Sequence, residues 1–151
     1  MKIDTINKQI IFLLQKDARI TYKEIAAKLK RSETTIRDRI KALERVGIIQ
    51  GYTALIDKTA LGLNFFSMIL ANPVSSSDLD SVTEKVKKVK NVLRVYQISG
   101  NKRLAIFMVS PSYRELKEVI RSQLIPLGLK DEEIVNVLEA DREFISPLEI
   151  P

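Results

Sequence analysis

Residues 21–52, TYKEIAAKLKRSETTIRDRIKALERVGIIQGY, decide how this chain folds. Thr21 and Glu24 have the Thr-x-x-Glu spacing of a capping box, in which hydroxyl and carboxylate satisfy each other's backbone N–H groups at a helix start. Ile25, Ala26 and Leu29 fall on one face of the helix this box opens. Lys30 and Arg31 follow. Ser32 is a favoured N-cap for a second helix, with Glu33 placed to suit the dipole of its first turn. That helix buries Ile36, Ile40 and Leu43, spaced i, i+4, i+7. At about 100° per residue the opposite side holds Thr34, Asp38, Lys41 and Arg45, with Thr35 and Arg37 on its flanks. Gly47 stands where a left-handed residue ends a helix. Ile48, Ile49, Tyr52, Ala54 and Leu55 then predict a short hairpin or extended arm around Gly51.

The polar side of the second helix suits a major groove. Arg37 and Lys41 can donate to guanine O6 and N7, Thr34 and Thr35 can meet a base edge or a thymine methyl, and Asp38 can accept from cytosine N4. Lys23, Lys30 and Arg31 lie near the turn and suit phosphates, which position a helix without reading sequence. Ser32, at the helix start, belongs to the same candidate surface. Arg39 lies beside the apolar stripe, where it either meets phosphate or forms a bridge, to the neighbours of Asp38 or to the first helix. The plainer reading is a solvated charged face. Against it, Arg37 and Lys41 are like charges at i, i+4, a repulsion that a polyanion would relieve.

Charge is segregated along the chain. Residues 1–62 hold 13 Lys+Arg and 7 Asp+Glu, a surplus of 6, whereas residues 63–151 hold 12 of each. The whole net charge of +6 therefore sits in the half with the helix pair, the distribution expected of one polyanion-binding part and one neutral part. There is no cysteine, hence no disulfide framework or thiolate metal site, and no histidine, the commonest general base and metal ligand. No cofactor and no metal are expected. The apolar runs are too short to span a bilayer and no signal-peptide pattern opens the chain, so a cytoplasmic location is expected.

The fold class read from the whole chain is α+β. Asp4 caps a helix to about Lys16, with Ile6, Ile10, Leu13 and Leu14 as its buried stripe and Ile3 as a staple. Residues 1–48 form a helix-turn-helix domain, 49–64 a β-ribbon or hinge connector, and 65–151 a second domain. Within the last, Phe65–Ala71 is a strand and Ser75 to Ser77 offer caps for a helix carrying Leu79, Val82, Val86 and Val89. Val92–Ile98 and Leu104–Val109 are strands joined by a turn at Gly100-Asn101-Lys102. Ser112 opens a helix carrying Tyr113, Leu116, Ile120 and Leu124, closed by Pro126 and Gly128. Ile134 to about Ala140 is the last strand, and the tail after Phe144 is irregular. This order is the ferredoxin-like βαββαβ pattern. It predicts a four-stranded antiparallel sheet with both helices on one face, and an apolar second face that a second copy of the chain would cover.

The motifs that carry family resemblance are Asp17-Ala18-Arg19-Ile20-Thr21, Glu24-Ile25-Ala26, Ser32-x-x-Thr35-Ile36-x-x-Arg39-Ile40-x-x-Leu43-Glu44-x-x-Gly47-Ile48-Ile49, Gly51-Tyr52-Thr53-Ala54 and Leu61-Gly62. On these the chain resembles the Lrp/AsnC, or feast/famine, family of transcription regulators over nearly its whole length. The resemblance implies a winged or ribbon-flanked helix-turn-helix head on a sheet domain that dimerises and often builds octamers. It implies binding to pseudo-palindromic promoter sites, and in many members an amino-acid effector held between sheet domains. By the same analogy the effector turn comprises Ser99, Gly100, Asn101, Lys102 and Arg103. Amino-acid-binding members usually carry Gly-x-x-Asp there. This chain has Arg103 in the Asp position, which speaks against an α-ammonium group and for a carboxylate, phosphate or other anion, or for a salt bridge to a nearby acid.

Two other function classes compete. An architectural DNA-compacting protein would bind duplex with little sequence choice. A small enzyme is the poorest fit, since there are no paired carboxylates with a basic partner and no Gly-rich phosphate loop. The acidic run Asp131–Glu133 reads as a solvated loop before the last strand. The run Lys85-Val86-Lys87-Lys88-Val89-Lys90 looks like a second basic patch, but the plainer reading is the solvated face of an amphipathic helix. Ser99, Asn101 and Gln123 fit either an effector contact or an ordinary surface.

Overall fold

Asp4 sets where the first helix begins. Its carboxylate accepts from the Asn7 N–H at 2.8 Å and caps α1, Thr5–Lys16. The computed structural model describes residues 3–139. The capping box at Thr21 and Glu24 forms in full and opens α2, Tyr22–Leu29. Ser32 accepts from the Thr35 N–H at 3.1 Å and opens α3, Glu33–Arg45. Gly47, at φ +75°, closes α3 as the left-handed residue of a Schellman motif. Its N–H reaches the Glu44 carbonyl and that of Ile48 reaches Leu43, both at 3.0 Å. The three helices share a core of Ile10, Ile25, Ala26, Ile36, Ile40 and Leu43. Each fully buried Ile or Leu contributes about 1.5–3 kcal/mol, so a few side chains hold this small unit together.

The chain divides into two compact units, one running to Leu55 and the next starting at Ile56. Between α3 and Phe65 no strand forms, so of the two readings around Gly51 the hairpin is absent and the segment is an unpaired arm. A ribbon needs a paired neighbour for its backbone groups, and among the described residues this segment has none.

The second unit runs β1 (Phe65–Pro73), α4 (Leu79–Val86), β2 (Val92–Gln97), β3 (Leu104–Ser110), α5 (Tyr113–Val119) and β4 (Leu129–Val137). The sheet is antiparallel in the order β2-β3-β1-β4. Ile69, Ala71, Leu104, Ile106 and Met108 face α4 and α5, whose Val82, Val86 and Leu116 complete the core together with Ile120 and Leu124 just beyond α5.

Three boundaries differ from the sequence reading. A 3-10 turn, Ser76–Asp78, precedes α4, and no side-chain cap forms at Ser75; the Ser77 side chain lies outside the description. Regular helix ends at Val119, and a π turn, Ile120–Leu124, keeps Ile120 and Leu124 buried before Gly128 ends the element at φ +97°. β4 starts at Leu129, so Asp131–Glu133 belongs to a strand and not to a loop. It is an edge strand whose exposed positions accept charge, and a register shift opposite Leu70/Asn72 lets the chain pass through Asp131 at φ +55°. The expected extension to Ala140 and the irregular tail after Phe144 lie outside the described residues.

The second face of the sheet holds Phe66, Met68 and Leu70 of β1, opposite Val109, Phe107 and Ala105 of β3 and, for Phe66 and Met68, Val137 and Val135 of β4. Phe107 packs against Phe66 at 6.0 Å and edge-on against Tyr96 at 5.8 Å between ring centroids. Tyr96, Val135 and Val137 remain more than a third exposed. Among the described residues no helix of this unit packs on that face, because the alternation of the strands sends these side chains away from α4 and α5.

Candidate nucleic-acid interface

The α2–α3 turn is tight because Lys30 adopts left-handed geometry, φ 51° and ψ 52°. The Arg31 N–H then closes onto the Ala26 carbonyl at 3.0 Å. The Arg31 guanidinium lies over the turn and donates to the Lys30 carbonyl at 3.1 Å. Lys30 and Arg31 are exposed at the entry to α3, and Lys23 is exposed at the start of α2.

The buried and exposed sides of α3 separate cleanly. Ile36, Ile40 and Leu43 are fully buried, and Thr34, Arg37, Asp38 and Lys41 are exposed. Arg37 is already oriented. It sits 3.3 Å from Glu33 one turn back and 5.8 Å from the centre of the Tyr22 ring. The Glu33 partner offsets the expected repulsion between Arg37 and Lys41. Tyr22 was not singled out from the sequence, because its contact with Arg37 joins two helices and leaves no local signal.

Three candidates serve the helix pair itself. Ser32 and Thr35 form the cap of α3, with their hydroxyls 2.7 Å apart. Arg39 takes the bridging role of the two open to it. Its Nη1 donates to Asp4 at 2.7 Å and to the Asn7 side-chain oxygen at 2.9 Å, tying α3 to the start of α1. The Asn7 N–H bond first, and Arg39 second, hold the Asp4 carboxyl below its ordinary 3.8. Glu24 is lowered in the same way by the Thr21 N–H and hydroxyl. Beyond α3, the Tyr52 hydroxyl donates to Glu44 at 3.0 Å and fixes the arm against the helix. Burial, and then Glu44, push that phenol up to about 12.

In the sheet unit Ser99, Gly100, Asn101 and Arg103 share the β2–β3 turn, which docks on the ends of β1 and β4. The Arg103 N–H donates to the Ala71 carbonyl at 3.2 Å, and Asn72 donates to the Asn101 carbonyl at 3.1 Å. Lys102 donates to the Asp131 carbonyl. Ser99, Gly100, Asn101 and the Arg103 side chain are exposed, and no ion pair involves Arg103 among the described residues. The same residues contain no acidic cluster able to hold a metal ion and no helix long and apolar enough to cross a membrane.

A basic helix-turn-helix head joined to a βαββαβ sheet unit defines a class of DNA-binding protein, and comparison with known proteins agrees. Residues 3–50 match the family model described as winged helix-turn-helix DNA-binding. The transcriptional regulator LrpA of Pyrococcus horikoshii is 36% identical over 81% of this chain and 86% of its own length. Escherichia coli AsnC superposes with a TM-score of 0.88 at 23% identity, covering 98% of this chain and all of that one. A Neisseria meningitidis transcriptional regulator solved in complex with L-Met superposes equally well, at 21% identity over 98% and 97% of the two chains. The chain belongs to the Lrp/AsnC family of transcription regulators. It is a DNA-binding regulator and not an enzyme.

Proposed function

We propose that this protein recognises specific promoter sequences as a dimer or a larger assembly of dimers, with α3 in the major groove. The observation that carries this reading is the exposed side of α3: Thr34, Arg37, Asp38 and Lys41 project away from a core that fixes the helix. These four are the base-reading set, and Lys23, Lys30 and Arg31 contact phosphate. Ser32, Thr35 and Arg39 build and brace the helix. The domain scheme is a head at 1–48, a connector at 49–64 and a sheet domain from 65 onward. The half-exposed face of Phe66, Phe107, Tyr96 and Val135 supports pairing of two sheet domains. The absence of a membrane-crossing helix among the described residues fits a cytoplasmic regulator.

An effector, where one acts, binds near Ser99, Gly100, Asn101 and Arg103, and the unpaired Arg103 favours an anionic group over an α-ammonium. The L-Met bound to the Neisseria relative supports a small-molecule effector for this fold. Selection from random duplex DNA tests the main reading. A recurring palindrome with half-sites about 34 Å apart, or a multiple of that, is expected. Retention without enrichment of any sequence would instead support an architectural, DNA-compacting role.

A further inference from the structure

We infer that Lys85, Lys88 and Lys90 form a second phosphate-contacting patch, on the sheet unit and separate from α3, that engages duplex DNA. The proposal rests on the head's binding to duplex DNA and extends the contact surface beyond it. The sequence reading of this run as the solvated face of an amphipathic helix holds for its exposure, but the helix itself ends at Val86. The backbone goes on through successive i to i+3 turns, with the Lys88 N–H on the Lys85 carbonyl at 3.1 Å and the Val89 N–H on Val86 at 3.0 Å. Such turns eclipse side chains three residues apart, so Lys85 and Lys88 are stacked on one side. Asn91, at φ 65°, ends the segment. Buried Val86 and partly buried Val89, packed on the core, anchor the backbone. The lysines thus stand on a fixed surface and not on a loose tail.

The charge is more than the fold requires. One cation suffices to complement the end of a short helix, yet residues 85–90 carry four lysines and no acid, all four exposed. Lys87 is paired with Glu84, and no ion pair involves Lys85, Lys88 or Lys90 among the described residues. The sheet half is neutral as a whole, so this cluster is a local excess. Eclipsed like charges repel, and a row of phosphates removes that penalty. At about 1.5–2 Å rise per residue the run spans roughly 9 Å, enough for about three phosphates of one strand at about 3.4 Å axial spacing.

The test uses the full chain, a random-sequence duplex of about 150 base pairs, and the triple variant Lys85→Gln/Lys88→Gln/Lys90→Gln. Removing three phosphate contacts makes the slope of log affinity against log salt shallower by about 2.7. From about 50 to about 200 mM salt the wild-type protein then loses about 40-fold more affinity than the variant. The triple Lys→Arg variant keeps the wild-type slope, which separates charge from damage to the fold. A Gln variant that folds normally and keeps the wild-type slope overturns the patch while leaving the head intact. A wild-type protein that fails to bind this duplex at low salt overturns the reading of the head itself.

Discussion

The helix unit buries Ile36, Ile40 and Leu43 and leaves Thr34, Arg37, Asp38 and Lys41 in water, whereas the sheet unit buries one face and leaves Phe107, Tyr96 and Val135 partly open on the other. The contrast follows from periodicity. An α-helix turns one narrow stripe to its core and is free to place charge opposite. A strand alternates, so β1, apolar on both sides, commits the sheet to two apolar faces of which the helices cover one. The net charge follows the same division, a surplus of 6 in residues 1–62 and none in 63–151. We propose that one surface is finished by a polyanion and the other by protein.

If the two units are separate in stability as well as in surface chemistry, a core substitution in one leaves the other standing. Leu43→Ala carries the largest expected effect. Leu43 is fully buried in the helix core, and such truncations cost about 2–5 kcal/mol. That is comparable with the whole net stability of a small domain. Calorimetry is expected to show the helix unit melting well below the sheet unit, with DNA binding lost. A single transition that moves as one would mean that the units melt together, and the comparison would fail.

Arg37→Ala comes next and sharpens the assignment of the head's exposed side. As a base-reading contact Arg37 is worth about 1–3 kcal/mol on the selected site, with little change on random duplex. Filter binding or fluorescence anisotropy on both DNAs decides the matter. Equal losses on the two would make Arg37 a phosphate contact and shift base reading to Lys41, Thr34 and Asp38.

What the sequence made legible was local. The caps at Asp4, Thr21 and Ser32 and the end at Gly47 each depend on residues within a few positions, so spacing alone reveals them. Bonds over long separations left no such trace. Arg39 could be narrowed to two roles, and only the fold brings it to Asp4 and Asn7, more than 30 positions away. Tyr22 beneath Arg37, and Tyr52 on Glu44, depend in the same way on how helices and arm pack. The start of β4 was hidden because charge on an exposed edge strand breaks the alternation by which strands are found. Around Gly51 the sequence left hairpin and arm open for a related reason, since a strand exists only where something pairs with it.

The smallest expected effect is a pH dependence seated in the helix unit. Asp4 and Glu24 both sit below their ordinary values of 3.8 and 4.5 when folded. For Asp4 the Asn7 N–H is the main cause, ahead of Arg39; for Glu24 it is the Thr21 N–H, ahead of the Thr21 hydroxyl. A carboxylate lowered by folding adds stability that is fully present above its unfolded value. That stability is lost as pH falls through the lowered one. The melting transition of the helix unit is therefore expected to fall as pH drops from about 5 toward about 3. The variant Asp4→Asn/Glu24→Gln is expected to melt lower at neutral pH and to show a flatter acid limb. Both carboxylates are exposed, so salt screens the effect and leaves it small. A double variant whose acid limb is as steep as that of the wild type would assign the acid response to other groups and leave these two caps merely geometric.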